Sequence, residues 1–197
     1  MEAGLGLGKK TEEVVVNLTE KIKNLYSKAR FLMPPQAVDE FLSFFEDKNQ
    51  EFLKEFLSVI TIKSVDLGKI NFSSQVFAKL IQDVRQRSYR GLNIAEEEIE
   101  NAALEFAGAK LENKKDFQIK IGKFINRFRE RYRKATRFGF LDSLTDFLLI
   151  ALAYQEEAFL VSTDEGVLRW SQEFAVKQMP ALVFAKRLEF LLLPHQG

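Results

Sequence analysis

The amino-acid sequence predicts an α/β fold: a short parallel sheet with helices on its faces, into which a long antiparallel helical hairpin is inserted. Three observations lead there. Short apolar runs with strand character alternate with helical segments in both the first and the last third of the chain. Two much longer helical patterns, about 73–107 and 116–137, lie together in the middle. The composition, 46% apolar and 29% charged over 197 residues, is that of a globular chain able to bury one substantial core. The expected organisation is 1–72 and 139–197 as two parts of one α/β domain, with 73–138 as the hairpin.

The elements follow in order. Residues 1–10 are glycine-rich. Thr11 is read as an N-cap with Glu12 and Glu13 in the first turn, which suits the helix dipole. Val15, Leu18, Ile22 and Leu25 then recur at helical spacing. Arg30–Met33 reads as a short strand before Pro34 and Pro35, and Pro35 fits the first turn of a helix through Val38, Phe41, Leu42 and Phe45. A further helix is expected at about 49–58 and a strand over Val59–Val65.

Ser73 or Ser74 caps the first long helix, with Gly91 as a candidate kink. The second carries an apolar stripe of Phe117, Ile121, Phe124, Phe128, Tyr132 and Ala135. Beyond Gly139 come a strongly apolar helix (Asp142–Glu156), a buried strand (Phe159–Thr163), a helix with Leu168 and Trp170 inward (Glu165–Phe174), a last strand (Val176–Met179) and a closing helix (Ala181–Leu193).

Composition removes several kinds of chemistry. There is no Cys, and the one His is His195, so thiolate sites, disulfides, His-rich metal sites and a Ser-His-Asp triad drop out. Oxygen ligands would favour a hard cation, Mg²⁺ or Mn²⁺. The longest apolar run, around Phe147–Tyr154, is too short for a bilayer, and the N-terminus lacks signal-peptide order. A cytoplasmic protein without a membrane partner is expected. Gly4-Leu-Gly-Leu-Gly-Lys9 lacks the spacing and preceding strand of a phosphate loop.

The formal net charge of +1 hides an asymmetry. Lys114 to Arg137 holds ten Lys and Arg against Asp116 and Glu130, a local excess of eight. Arg127, Arg129, Arg131, Arg133 and Lys134 mark a face suited to phosphates. Pairing with the acidic stretch Glu96–Glu100 on the neighbouring helix is the alternative.

Carboxylates supply the other candidate site. Asp142 and Asp146 are four apart and share a helix face near its N-terminus, and Asp164 follows a buried strand, where α/β sheets place ligands. Three converging carboxylates would need a divalent cation to relieve their repulsion, and such a cation can activate water against a phosphodiester. Each Asp taken alone is better read as serving a helix start, Asp142 and Asp164 as caps and Asp146 as a first-turn partner of the dipole.

The run Asp146-Phe-Leu-Leu-Ile-Ala-Leu-Ala153, followed by Leu160-Val-Ser-Thr-Asp-Glu-Gly166, resembles the C-terminal half of PIN domains. With Gly91-Leu-Asn-Ile-Ala-Glu-Glu97, Phe128-Arg-Glu-Arg-Tyr-Arg-Lys-Ala135 and Gly139-Phe-Leu-Asp-Ser143, the chain resembles RNA-free (protein-only) ribonuclease P of the small HARP type over about residues 11–193. The resemblance implies a PIN-like three-layer fold and an Mg²⁺- or Mn²⁺-dependent endoribonuclease that removes the 5′ leader of precursor tRNA. It implies Asp142, Asp146 and Asp164 as catalytic and metal-binding residues. Glu40, within Met33-Pro-Pro-Gln-Ala-Val-Asp-Glu40, joins them as a further metal ligand, and a solvated helix-face Glu is its alternative. The basic helix then belongs to a hairpin used for subunit assembly and precursor-tRNA contact, and a homo-oligomer built through the hairpin's apolar stripe is expected.

Two departures stand beside the resemblance. The family's opening strand, in a pattern like Leu-Asp-Thr-Ser, has no counterpart here, and Met1 falls about where it should have ended. Leu148 occupies a position where another Asp is expected. An upstream start and a degraded relative both fit, so a catalytically silent RNA-binding or assembly protein is the rival reading. A PIN toxin-type ribonuclease is a third, disfavoured by the long hairpin.

Overall fold

The computed structural model describes residues 10–108, 113–137, 141 and 143–193. The described residues fall into two compact units, one formed from residues up to 71 and from 141 on, the other from residues 72–137.

The first unit is mixed α/β. Helix α1 spans Thr11–Asn24, with Lys10 rather than Thr11 at the N-cap. Thr11 is helical, and the Glu13 carboxylate accepts a 3.4 Å bond from the Lys10 N–H. Strand β1 is Leu32–Met33, and Pro34 and Pro35 stop it because proline cannot donate to a ladder. Pro35 instead opens helix α2, Pro35–Ser43. Helix α3, Glu51–Val59, leads into strand β2, Thr61–Ile62, shorter than the alternation of 59–65 predicts. A 3₁₀ turn, Leu67–Lys69, starts where the Asp66 side chain accepts from Gly68 N–H.

After the second unit come helix α6 (Leu144–Gln155), strand β3 (Leu160–Ser162), helix α7 (Glu165–Glu173), strand β4 (Gln178–Pro180) and helix α8 (Ala181–Leu192). β1 pairs in parallel with β2, and β3 with β4, so two two-stranded sheets stand where one was predicted. Each strand is two or three residues long, and among the described residues no further strand joins the pairs.

Burial explains the helices of this unit. Val15, Ile22 and Phe56 form a core cluster packed by Leu18, Phe31, Phe41 and Phe52. Phe41 stacks against both Phe45 and Phe56 at 5.3 Å between ring centroids. Trp170, Leu25, Leu53, Ile150 and Leu188 are almost wholly enclosed. Such aromatic packing accounts for many of the chain's 19 Phe.

The second unit is the hairpin. Helix α4 runs unbroken over Ser74–Phe106 and helix α5 over Lys114–Arg137. Gly91 does not end or divide α4. A Cβ there would stand 2.6 Å from Cε2 of Tyr132, so glycine lets the α5 aromatic ring close onto the α4 backbone. The α5 stripe is spent in part inside the hairpin, with Phe117 and Tyr132 still partly exposed. Phe106 meets Phe117 at 5.7 Å and Phe124 at 5.9 Å, and Phe124 is buried.

Candidate active site and nucleic-acid interface

Helix α6 ends where β3 begins and packs against it, so the two run in opposite senses. The first turn of α6 therefore comes to the side of the sheet where β3 ends and α7 starts. Ser143 caps α6, its hydroxyl accepting from Asp146 N–H at 3.2 Å. This places the half-buried Asp146 in the first turn, where the helix dipole favours a negative charge. Asp164 follows β3. Its carboxylate caps α7 by accepting from Val167 N–H at 2.9 Å, and its own N–H donates to Ser162 Oγ at 3.0 Å. Capping and chemistry do not exclude each other, because one carboxylate has about four lone-pair positions. Glu40 lies exposed on α2, which packs against α6.

Asp142 lies outside the described residues. Among the described residues, no group of three or more His, Asp or Glu side chains stands close enough to hold a metal ion. Asp146, Asp164 and Glu40 therefore do not make a metal site by themselves. Leu148 is a core residue, 6% exposed. A carboxylate at this position would be buried, so the leucine is fixed by packing.

A cleft among the described residues of this unit lies elsewhere. About 460 Å³ in volume, it is lined by Lys69 of the 3₁₀ turn and by Tyr154, Gln155 and Lys177 at or just beyond the C-terminal ends of α6 and α7. Glu157 and Ala175 line it with φ of 50° and 56°. Both are helix-ending residues followed by a closing backbone bond, Ala158 N to Ala153 O at 2.9 Å and Val176 N to Ser171 O at 2.8 Å. Their conformations serve helix termination. The nine-residue step from Asp146 to Gln155 along α6 puts this cleft about 13 Å from Asp146.

In the hairpin the five predicted cationic residues divide. Arg127 Nε donates to Glu98 Oε2 at 2.6 Å, and Arg131 donates to Glu98 Oε1 at 2.7 Å and to Glu97. Arg127 also lies 4.8 Å over the Phe124 ring. Glu98 is 5% exposed, and its carboxyl is held below the usual glutamate range, foremost by the Arg131 hydrogen bond against the opposing effect of burial, and further by Arg127. Arg127 and Arg131 thus close the hairpin, as the pairing alternative described. Arg129, Arg133 and Lys134 are exposed, and among the described residues none has an ion-pair partner. The sequence marked the acidic and basic stretches correctly. It did not show which arginines pair, since that depends on the hairpin's register.

Residues 6–193 match the family described as PINc domain ribonuclease. The chain is 30% identical over 185 residues to an RNA-free ribonuclease P of Pyrococcus horikoshii, covering 94% of this chain and 84% of the relative. It is 33% identical to that of Thermococcus onnurineus (85% and 77% covered) and 29% identical to that of Thermococcus kodakarensis (100% and 92%). The fold and these matches define a PINc-type ribonuclease domain. Within that class, the chain belongs to the RNA-free ribonuclease P family.

Proposed function

We propose that this chain is an endoribonuclease that removes the 5′ leader of precursor tRNA. The observation that carries this reading is its similarity to proteins named RNA-free ribonuclease P along the whole chain, hairpin included. The exposed Arg129, Arg133 and Lys134 are the cations we assign to the RNA backbone. Such contacts fix the RNA's position and weaken steeply with salt. No helix among the described residues is long and apolar enough to cross a membrane, and we place the activity in the cytoplasm.

Mg²⁺ or Mn²⁺ dependence belongs to this reading, with Asp142, Asp146 and Asp164 as the catalytic carboxylates and Glu40 beside them. The test is incubation with 5′-labelled precursor tRNA in Mg²⁺ and in Mn²⁺. Release of the leader at the mature 5′ end is expected. Asp146→Asn is expected to abolish release while melting at the wild-type temperature, because asparagine keeps the size and the backbone hydrogen bond of that turn. Cleavage retained by Asp146→Asn would sink the carboxylate assignment.

One observation favours a second reading. Leu148 is buried where the family resemblance calls for an acid, which suits a chain that binds RNA without cutting it. Salt-sensitive tRNA binding with no product in either metal would select that reading.

The hairpin also supports self-association. Exposed apolar surface runs along α4 as well as on the partly exposed Phe117 and Tyr132 of the α5 stripe: Phe77, Ile81, Val84, Leu92 and Ile99 recur at helical spacing and are all about half exposed or more. We assign this face to a homo-oligomer contact.

A further inference from the structure

Residues 63–71 carry the chain from β2 to Phe72, where the hairpin unit begins. No residue of this connector is buried, so apolar packing does little to fix it. Three consecutive side chains at the C-terminal end of α6 hold it instead. The Glu156 carboxylate pairs with Lys63 Nζ at 2.8 Å. Gln155 Oε1 accepts from Asp66 N–H at 3.0 Å, and Gln155 Nε2 donates to Glu156 Oε1 at 3.1 Å. The Tyr154 hydroxyl donates to the Asn71 carbonyl at 3.1 Å. Consecutive helix residues do not share a face, so the connector bends round the end of α6 to meet all three. The Glu156 side chain is 10% exposed, and its carboxyl is held below the usual glutamate range, foremost by the Lys63 hydrogen bond.

The opposite end of the same helix carries Asp146 in its first turn. The chain also comes back from the hairpin to that end, since Arg137 closes α5 and Ser143 caps α6. Helix α6 is therefore joined to both routes into the hairpin. The chain itself joins it to one at the first turn, and the clamp of Tyr154, Gln155 and Glu156 joins it to the other at the last.

We infer that Tyr154, Gln155 and Glu156 are positioning residues for RNA cleavage: by holding the connector that feeds the hairpin on the helix that carries Asp146, they set which phosphodiester of a hairpin-bound RNA meets that carboxylate. The inference rests on the endoribonuclease reading and adds to it the residues that fix the place of the cut. All three act through the connector and not on the substrate.

The test uses the full chain and 5′-labelled precursor tRNA in Mg²⁺, with kcat and KM measured separately and the product ends mapped to the nucleotide. Tyr154→Phe removes the hydroxyl held by Asn71, and Lys63→Met removes the cation held by Glu156. Both are expected to melt close to the wild-type temperature, because the bonds they remove are open to solvent on at least one side. In each, kcat is expected to fall about tenfold or more with KM within about twofold of wild type, and cuts are expected at positions beside the mature 5′ end. Lys63→Arg keeps the cation and is expected to restore the wild-type rate and the single cut. Unchanged kcat and a single cut in both Tyr154→Phe and Lys63→Met, beside a wild type that cleaves, overturn the positioning role alone. So does a rise in KM with kcat unchanged, or a Lys63→Arg chain as impaired as Lys63→Met. No cleavage by the wild type overturns the nuclease reading and the positioning role with it.

Discussion

At the scale of single residues, Gly91 is required by a neighbour inside the hairpin. Replacing glycine by alanine in an exposed helix interior normally stabilises by about 1 kcal/mol. At Gly91 the added methyl would collide with the Tyr132 ring at 2.6 Å. Gly91→Ala is therefore expected to destabilise, and the usual gain should return when Tyr132→Ala is made as well. A double-mutant cycle by thermal melting checks the coupling. Asp164 carries a similar lesson. Its place after a strand and before a helix was legible, but both roles read from that place, cap and acid, fit the same atoms, and the structure shows the capping bond directly.

Among the elements, the α4–α5 pair is locked by charge buried at one position. Glu98 is enclosed while its two arginine partners are about half exposed. Solvent screens those guanidinium groups, so Glu98→Gln is expected to cost on the order of 1 kcal/mol. The pH dependence has a definite sign. The folded-state carboxyl titrates below its ordinary value, foremost because Arg131 hydrogen-bonds it. Glu98 thus contributes stability that is fully present above about 4.5, the ordinary value, and is lost as pH falls through the lower folded value. Melting between about pH 6 and about pH 3, a range that brackets this titration, should show a steeper acid loss for wild type than for Glu98→Gln. Equal acid sensitivity in the two would remove Glu98 as the group responsible. Periodicity revealed both helices and the apolar stripe of α5, because an amphipathic repeat is a property of the local chain. The strands were less legible: β2 covers two residues of the seven predicted, since alternation says nothing about where a partner strand stops.

For the whole molecule, the exposed apolar face of α4 is the feature with a measurable consequence. Phe77, Ile81, Val84, Leu92 and Ile99 leave a long stripe in water, costly for a chain acting alone. Leu92→Glu is expected to shift light-scattering mass from oligomer to monomer while each chain remains helical. A wild-type chain that is monomeric at micromolar concentration would count against the assignment. The sequence placed this seam on the α5 stripe, because Phe117 to Tyr132 is longer than two helices need to bury against each other. The structure buries Phe124 of that stripe between the helices, leaves Phe117 and Tyr132 partly exposed, and adds the exposed apolar positions of α4.

By itself the sequence determined the α/β class, the long hairpin, the family, and the segments that hold acids and bases. All of these are encoded locally, in periodicity, in proline and serine at helix starts, and in short motifs. Only the tertiary structure decided which arginines pair with Glu98, why Gly91 is glycine, that Leu148 is core, and that the short strands form two sheets instead of one. Those outcomes depend on the register between elements distant in the chain. Register is set by the sum of many weak packing contacts, and no single segment carries it.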